Sequence, residues 1–388
     1  MATGGFSESR GANRMELTRR AVLRGLPLFV CRGPLHAQEE LPDLSSVPPD
    51  LEVPAVATGE PAAGKRVRQA LPGYTGADVH HLLYLPRDWR PGRRYPVIVE
   101  YAGNGNYKNA YGDVSTGEVE GSKLGFGISA GQGFIWISMP YVDARAGRNQ
   151  TLWWGDVDAT VTYCCDAVRD VCERFGGDPA AVILAGFSRG AIACHYIGLH
   201  DDRIADIWLA FIPYSHYDGA ITTWPYAGAD RASALERLKR LHGRAVFVCQ
   251  ERSIENTKVY LESAGVQAAF TFERIGFRNH NDGWTLRDIP ERRTLRRWLR
   301  DVLHRRPGTY ALTGRVTDSH GRGVADVRLR SGYTHWTLSN RSGSYVLPGL
   351  IASQRSVVPK KAGLHFTPAS RTIQIAGASV KGMDFRVS

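Results

Sequence analysis

A serine between two glycines follows directly on an apolar run in the middle of this chain. Residues 184–191 read LAGFSRGA, and the serine is Ser188. A serine hydroxyl attacks carbonyl carbons only when a base removes its proton, and the product of that attack is a covalent acyl intermediate. A glycine-x-serine-x-glycine turn presents the hydroxyl on a strained backbone between a strand and a helix. The pattern therefore points to acyl transfer by Ser188.

The elements around Ser188 must form that sharp turn. Residues 181–185 read as a short buried strand and residues 191–199 as a helix with apolar spacing. Glycine has no Cβ, so Gly186 and Gly190 permit the close backbone approach that the turn needs. The free N–H groups of the helix would stabilise negative charge on a substrate oxygen. The alternative is an ordinary strand-to-helix turn with a solvent-facing serine.

The base that activates the serine is expected late in the chain. In this arrangement the order along the chain is serine, acid, histidine. His280 lies in residues 276–284, after the last predicted strand and before the closing helix. Its position makes it the candidate base, whereas His195, His200 and His242 are interpreted as core or surface residues.

Strand and helix patterns alternate from about residue 75 to residue 305. Strand-like runs cover 79–85, 95–101, 133–139, 181–185, 207–212, 245–249 and 270–275, and helical runs cover 157–175, 191–199, 232–241, 256–264 and 291–304. Buried strands that alternate with helices predict an α/β fold, a doubly wound and mostly parallel sheet with helices on both faces.

This region resembles the α/β-hydrolase superfamily, especially its secreted esterase and polyhydroxyalkanoate-depolymerase-like group. The resemblance rests on the serine turn and on His280. It implies two backbone donors for the substrate oxyanion. The first is the N–H of Gly103 or Asn104, after the strand at 95–101, and the second is the N–H of Arg189.

The acid departs from the pattern of that superfamily. An aspartate is expected a few residues beyond the strand that ends at Cys249, but residues 250–256 read QERSIEN. A carboxylate is needed only to orient and stabilise the imidazolium, so a glutamate can serve. Glu251 is the first candidate, Asp218 is a close second and Glu255 is the third.

Aromatic loops are expected on the active-site edge of the sheet. Trp153, Trp154 and Trp224 would offer stacking surfaces for pyranose rings or aromatic acyl groups, although paired tryptophans often close a core instead. The serine-arginine pair at 188–189 also resembles that of glucuronoyl esterases. That resemblance implies a possible second role for the Arg189 side chain, as a clamp for a substrate carboxylate.

Composition limits the other classes of function. The chain has 388 residues, a length that suggests two or three domains. Of these residues 43% are hydrophobic, which allows a sizeable core, and the formal net charge is +11. The arginines align on the polar side of a helix, and nothing resembles a nucleic-acid-binding module. The six cysteines match no metal-site spacing and are interpreted as core residues, with their pairing open.

The N-terminus resembles a twin-arginine export signal. Residues 15–23 contain paired arginines before a short apolar stretch, and cleavage is expected after Ala37. Met15 is an alternative start, and a disordered cytoplasmic leader is the alternative interpretation. Residues 1–37 are thus assigned to export to the periplasm or the medium, residues 38–70 to an extended lead-in and residues 71–306 to the catalytic domain. No other segment reaches the length of a membrane span.

Residues 309–388 change to short strand-like runs with turn signals and predict a small all-β, immunoglobulin-like sandwich. The segment resembles carboxypeptidase regulatory-like domains, which are usually appended to extracytoplasmic proteins. The matching residues are 312–318, 341–345, 348–350, 366–369 and 383–385.

The combined expectation is an exported serine hydrolase that cleaves carbohydrate-linked or polymer esters. It requires no cofactor or metal, and its partner is an ester substrate such as a polysaccharide ester or a polyester. A serine peptidase of the same fold is the alternative enzyme. A carbohydrate-binding or scaffold protein with a decayed hydrolase domain is the alternative outside enzymes. The oligomeric state stays open.

Overall fold

The computed structural model describes residues 40–305, 310–332 and 334–388. The expected export segment, residues 1–37, lies outside the described residues. So does Cys31, and so does the expected boundary between the catalytic domain and the β-sandwich at 306–309.

Strands and helices alternate along residues 40–305. The strands are β1 (Val56–Ala57), β2 (Arg66–Gln69), β3 (His81–Tyr84), β4 (Tyr95–Tyr101), β5 (Tyr107–Lys108), β6 (Val114–Ser115), β7 (Ile135–Met139), β8 (Tyr141–Asp143), β9 (Arg148–Gln150), β10 (Gly177–Phe187), β11 (Ala210–Tyr214), β12 (Ala245–Glu251) and β13 (Ala269–Ile275). The α-helices are α1 (Leu124–Ser129), α2 (Val157–Arg174), α3 (Arg189–Tyr196), α4 (Asp202–Ala205), α5 (Arg231–Leu238), α6 (Glu255–Ser263) and α7 (Pro290–His304). Single turns of 3₁₀-helix cover Leu44–Ser46, Pro72–Tyr74, Val119–Gly121, Lys239–Leu241 and Asp282–Leu286.

Nine of these strands form one sheet in the order β1-β2-β3-β7-β4-β10-β11-β12-β13. Every pair from β7 to β13 is parallel, while β3 is antiparallel to both of its neighbours. Helices α2 to α6 pack on one face and α1 and α7 on the other, and each face has its own core cluster. The predicted doubly wound, mostly parallel α/β sheet with helices on both faces is confirmed.

The central strands β4 and β10 are buried on both faces, as continuous apolar strands in a parallel sheet must be. Val97 and Val99 face one core cluster and Ile98 faces the other. Because parallel strands end at the same edge, the carboxyl ends of β10, β11, β12 and β13 converge there. Ser188, Ser215, Glu251 and His280 lie at or just beyond that edge.

The lead-in of residues 38–70 contributes β1 and β2 to the main sheet. Residues 66–69 read RVRQ and show little apolar alternation. Arg66 is nevertheless 4% exposed, and its guanidinium stacks 4.6 Å from the ring centre of Trp136. Arg66 is therefore buried through a cation–π contact and not through apolar character, so the sequence of β2 lacks the apolar pattern typical of a buried strand.

The C-terminal residues form two four-stranded sheets. The strands are β14 (Tyr310–Thr317), β15 (Arg328–Ser331), β16 (His335–Leu338), β17 (Ser344–Leu350), β18 (Gln354–Lys360), β19 (Phe366–Thr367), β20 (Arg371–Gln374) and β21 (Phe385–Val387). The sheet orders are β17-β14-β21-β19 and β16-β15-β18-β20, and the two sheets share one apolar core. The predicted all-β architecture agrees with these sheets. The strand-like runs at 311–317, 327–329, 340–347 and 380–387 predict β14, β15, β17 and β21. The other four strands were not predicted: β19 has two residues, and β16, β18 and β20 carry many polar residues.

The five cysteines in the described part of the chain are buried and unpaired: Cys164, Cys165, Cys172, Cys194 and Cys249. Across the described residues, no group of histidine, cysteine, aspartate or glutamate side chains could hold a metal ion. None of the helices described is both long and apolar enough to cross a membrane.

Candidate active site

Ser188 occupies a strained turn between β10 and α3, with φ of 55° and ψ of −114°. The two flanking glycines explain how the chain makes this turn. A Cβ on Gly186 would lie 2.1 Å from the carbonyl oxygen of Gly190, and a Cβ on Gly190 would lie 1.9 Å from the oxygen of Tyr101. No larger residue fits at either position, so the sequence pattern has a steric basis.

His280 follows β13 and contacts both Ser188 and Glu251. Its Nε2 lies 3.0 Å from Ser188 Oγ, and its Nδ1 lies 2.6 Å from Glu251 Oε1. An ionised carboxylate only accepts hydrogen bonds, so Nδ1–H donates to Glu251 and Nε2 is left to accept the serine proton. The three side chains thus form a hydrogen-bonded row, in which the imidazole can take the serine proton while the carboxylate holds the imidazole in place.

Glu251 is the last residue of β12, and its side chain is 12% exposed. Burial raises the pKa of this carboxyl group, but the hydrogen bond and charge of His280 outweigh burial, with a further hydrogen bond from Ser215. The net pKa is lowered from its usual value. Glu251 is therefore ionised at neutral pH and can stabilise an imidazolium.

Ser215 joins the same cluster, although the sequence analysis did not identify it. It follows β11 with φ of 86°. Its Oγ donates to Glu251 Oε1 at 3.0 Å and lies 2.9 Å from His280 Nδ1. The parallel register pairs Tyr214 with Cys249, which brings the ends of β11 and β12 side by side. A serine directly after β11, beside the end of β12, is the signal in the sequence that could have identified this residue.

Asp113 holds the loop that carries His280, and it too was missed. Its carboxylate accepts from the backbone N–H of His280 at 2.9 Å and from the side-chain amides of Asn279 and Asn281, each at 3.1 Å. Asn109 donates a further bond of 2.7 Å. Asp113 is 2% exposed, so these bonds are shielded from water and the imidazole is fixed in position.

The other two candidate acids have different surroundings. Asp218 is fully buried and accepts two bonds from Arg237, from Nε at 2.8 Å and from Nη2 at 2.9 Å. Arg237 also donates to the carbonyl oxygen of Gly228. Glu255 is exposed at the start of α6. Of the three predicted carboxylates, the structure brings Glu251 to the imidazole.

The expected oxyanion donors lie on two loops beside Ser188. Asn104 lines the same cavity as Ser188, whereas Gly103 is not among the residues that line it, and a Cβ on Gly103 would lie 3.1 Å from the Phe187 ring. Arg189 is the first residue of α3, and the first N–H groups of a helix have no partner within the helix. The N–H groups of Asn104 and Arg189 therefore fit the predicted role best.

The side chain of Arg189 is not a carboxylate clamp, contrary to one expectation. It is 1% exposed, and its guanidinium donates to the carbonyl oxygens of Trp153, Gly103 and Gly117 at 2.7, 2.9 and 3.2 Å. It also lies 3.8 Å from the centre of the Tyr141 ring. Burial lowers its pKa to about 10, so it stays cationic at neutral pH and ties three loops together.

The predicted tryptophans divide between the cavity and the core. Trp153 and Trp224 line a cavity of about 350 Å³ together with Ser188 and His280. Trp154 is 4% exposed and stacks on Tyr196 with ring centres 4.6 Å apart, so it packs in the core and does not line this cavity. The φ of 49° at Trp153 turns the chain between the two side chains.

The chain matches no protein-family model, and no curated protein matches it in sequence. Among solved structures it is similar to a thermostable esterase, with 15% identity, a TM-score of 0.37 and coverage of 61% of this chain and 62% of that one. It is similar to a sugar hydrolase from Lactococcus lactis, with 14% identity, a TM-score of 0.43 and coverage of 62% and 99%. It is also similar to a protein described as a dipeptidyl aminopeptidase IV from Bacteroides ovatus, with 14% identity, a TM-score of 0.41 and coverage of 57% and 33%.

The match thus spans less than two thirds of the length of the esterase and of the aminopeptidase. These similar structures carry hydrolase names, but the identities and TM-scores are low. The assignment of the fold therefore rests on the strand order of the main sheet, and the interpretation of the site rests on its geometry.

Proposed function

We propose that this protein is a serine hydrolase that cleaves carboxylic esters through an acyl-enzyme. One observation carries the proposal: His280 contacts Ser188 through Nε2 at 3.0 Å and Glu251 through Nδ1 at 2.6 Å. A histidine held between a strained serine and an ionised carboxylate is the arrangement that nucleophilic acyl transfer needs.

In the first half of the proposed reaction, Ser188 Oγ attacks the carbonyl carbon of the ester while its proton moves to His280 Nε2. The N–H groups of Asn104 and Arg189 hold the oxyanion. The bond between the carbonyl carbon and the alcohol oxygen then breaks, and His280 returns the proton to the departing alcohol.

In the second half, a water molecule gives a proton to His280 and attacks the acyl carbon. The bond to Ser188 Oγ breaks, the serine regains a proton and the carboxylic acid leaves. Glu251 keeps its negative charge throughout and stabilises the imidazolium in both halves.

For the physiological substrate we propose a carbohydrate-linked or polymer ester, and we propose that the protein acts outside the cytoplasm. The substrate proposal is supported by the aromatic cavity wall beside Ser188. The proposal on location is supported by the paired arginines and apolar stretch of residues 15–30.

A fluorophosphonate probe tests the nucleophile directly, because it forms a stable bond only with an activated serine. We expect labelling of the purified full-length protein at Ser188, with loss of labelling in Ser188→Ala. The matched control is Ser356→Ala, at an exposed position of β18, which should label like the wild type.

A correctly folded protein that takes no label would contradict the proposal and favour a binding or scaffold role. Hydrolysis of a methyl ester and of the matching amide separates the two enzyme hypotheses. Faster cleavage of the amide would indicate a peptidase.

A further inference from the structure

Five rings form a continuous arc around Ser188. Trp153 and Trp224 have ring centres 5.4 Å apart, Trp224 and His216 are 5.5 Å apart, and His216 and His280 are again 5.5 Å apart. Tyr107 closes the arc, 4.9 Å from His280. All five residues line the cavity that contains Ser188. A substrate group next to the acyl carbon would therefore contact ring faces and edges.

The cavity offers no ionic partner to a substrate. Among its lining residues, Arg189, His216 and His280 are the ones that can carry a positive charge. The guanidinium of Arg189 donates hydrogen bonds to three carbonyl oxygens, and both ring nitrogens of His280 are within hydrogen-bond distance of Ser188 and Glu251. Burial, together with the charge of His280, lowers the pKa of His216 to about 4, so its imidazole is neutral at neutral pH. A charged substrate group would be desolvated here without compensation.

The cavity is small, and Trp153 in its aromatic wall is held in place. Its volume is about 350 Å³, at the low end of the roughly 300–1,000 Å³ found for small-molecule sites. The backbone of Trp153 is held by two hydrogen bonds. Its backbone N–H donates to Asn104 Oδ1 at 2.8 Å, and its carbonyl oxygen accepts from Arg189 at 2.7 Å. A wall that is already in place costs little ordering entropy when a ligand stacks on it.

We infer that the acyl group of the substrate carries an uncharged aromatic ring, which packs against Trp153 and Trp224 while the ester carbon reaches Ser188. This inference rests on the proposed esterase function and specifies the acyl group of the ester, so that a carbohydrate or polymer would be on its alcohol side. A sugar ring fits less well, because its hydroxyl groups need several polar partners. Asn104 Oδ1 already accepts from Trp153, and Asn106 is exposed at the rim of the cavity.

A matched set of methyl esters tests this inference. We would compare kcat/KM of the full-length protein for methyl 3-phenylpropanoate, methyl 3-cyclohexylpropanoate and the methyl ester of a methyl glucopyranosiduronic acid. The first two differ only in the flatness and π-electrons of the ring. We expect the phenyl ester to be preferred by about tenfold, in line with the strength of aromatic contacts.

Variants localise the preference to the cavity wall. In Trp224→Leu the ratio between phenyl and cyclohexyl esters should fall to near one, mainly through KM, and Trp224→Phe should retain most of the preference. The matched control is Trp336→Leu on the C-terminal sheet, where Trp336 lies 4.3 Å from the Arg328 guanidinium. This control should keep the wild-type ratio.

Equal rates for the phenyl and cyclohexyl esters, or a preference for the sugar ester, would overturn the inference while leaving the esterase function intact. Absence of hydrolysis of all three esters, together with absence of fluorophosphonate labelling at Ser188, would instead show that the proposed function is wrong. The two failures are therefore distinguishable.

Discussion

Two adjacent strands of the main sheet each lead to a buried carboxylate, and the two carboxylates have different partners. Glu251 ends β12 and contacts the imidazole of His280 at 2.6 Å. Asp218 lies four residues beyond the end of β11 and contacts the guanidinium of Arg237. Arginine stays protonated at all ordinary pH values, whereas histidine exchanges its proton near neutrality. The carboxylate of Asp218 thus forms a permanent ion pair, whereas that of Glu251 contacts a side chain that can exchange a proton.

The pair of Asp218 and Arg237 still bears on the site, but indirectly. Arg237 donates to the carbonyl oxygen of Gly228 at 2.8 Å as well as to Asp218. These bonds close the loop 219–228, which carries Trp224 into the cavity wall. Asp218 is therefore a positioning residue for the wall, and Glu251 is the candidate for the chemistry.

The sharpest test of this contrast is Glu251→Gln. The amide keeps the shape of the side chain but cannot stabilise an imidazolium, so kcat for ester hydrolysis should fall by about 10⁴-fold. Asp218→Asn should cost far less in kcat and should retain fluorophosphonate labelling. If Asp218→Asn lowered kcat more than Glu251→Gln did, the assignment of the two carboxylates would be reversed.

Loss of the Asp218 carboxylate is expected to affect stability more than catalysis. Asp218→Ala leaves Arg237 without its buried partner, and the free energy of unfolding should fall by about 3–5 kcal/mol. Urea denaturation measures this loss. The control is Glu236→Ala, which removes the ion pair between Glu236 in α5 and Lys239, the residue after that helix ends. Both side chains are more than two thirds exposed, so the loss should be under about 1 kcal/mol. Similar losses in both variants would argue against a structural role for the Asp218 pair.

A third buried carboxylate, Glu100, has neither a histidine nor an arginine as its hydrogen-bond partner, unlike Glu251 and Asp218. It accepts from the backbone N–H groups of Lys123, Leu124 and Gly125 and from Trp136 Nε1. Burial nevertheless dominates and raises its pKa from 4.5 to about 7. Between these two pKa values the folded protein holds a proton that the unfolded chain has released.

Stability should therefore fall as the pH rises from about 4.5 to about 7 and should then level off, with a limit of about 1.4 kcal/mol per pH unit from this group. Urea denaturation of the wild type and of Glu100→Gln at pH 5, 6 and 7 checks this. The advantage of the wild type over the variant should shrink as the pH rises. Parallel curves would show that Glu100 does not titrate in this range.

The smallest expected effect is that of Ser215→Ala. Ser215 donates to Glu251 and lies against His280, so its loss should lower kcat by about tenfold, roughly the worth of one hydrogen bond to a charged group. The Ser215 bond also helps to lower the pKa of Glu251, so this pKa should rise in the variant. Steady-state ester hydrolysis measures kcat, and Ser356→Ala again serves as the control. An unchanged kcat would reduce Ser215 to a packing residue.

Much of the fold follows from patterns that are local in the sequence. The strand predicted at 95–101 coincides with β4, and the helix predicted at 157–175 coincides with α2 to within one residue. Ser188 and His280 were also selected from local signals, a glycine-flanked turn and a position after the last strand. Hydrophobic periodicity and steric limits on glycine act over a few residues, so the sequence displays them directly.

Other features depend on contacts between residues far apart in the chain. Asp113 and His280 are separated by 167 positions, and no local pattern links them. The choice among Glu251, Asp218 and Glu255 depended on which carboxylate the sheet brings to the imidazole. Trp153 lies in the cavity wall and Trp154 in the core, with a positive φ at Trp153 between them. Periodicity and turn chemistry in the sequence account for the sheet, the serine turn and the late histidine. The acid, its supporting hydroxyl and the cavity wall follow from the packing of distant segments, because hydrogen bonds and burial are set by three-dimensional neighbours.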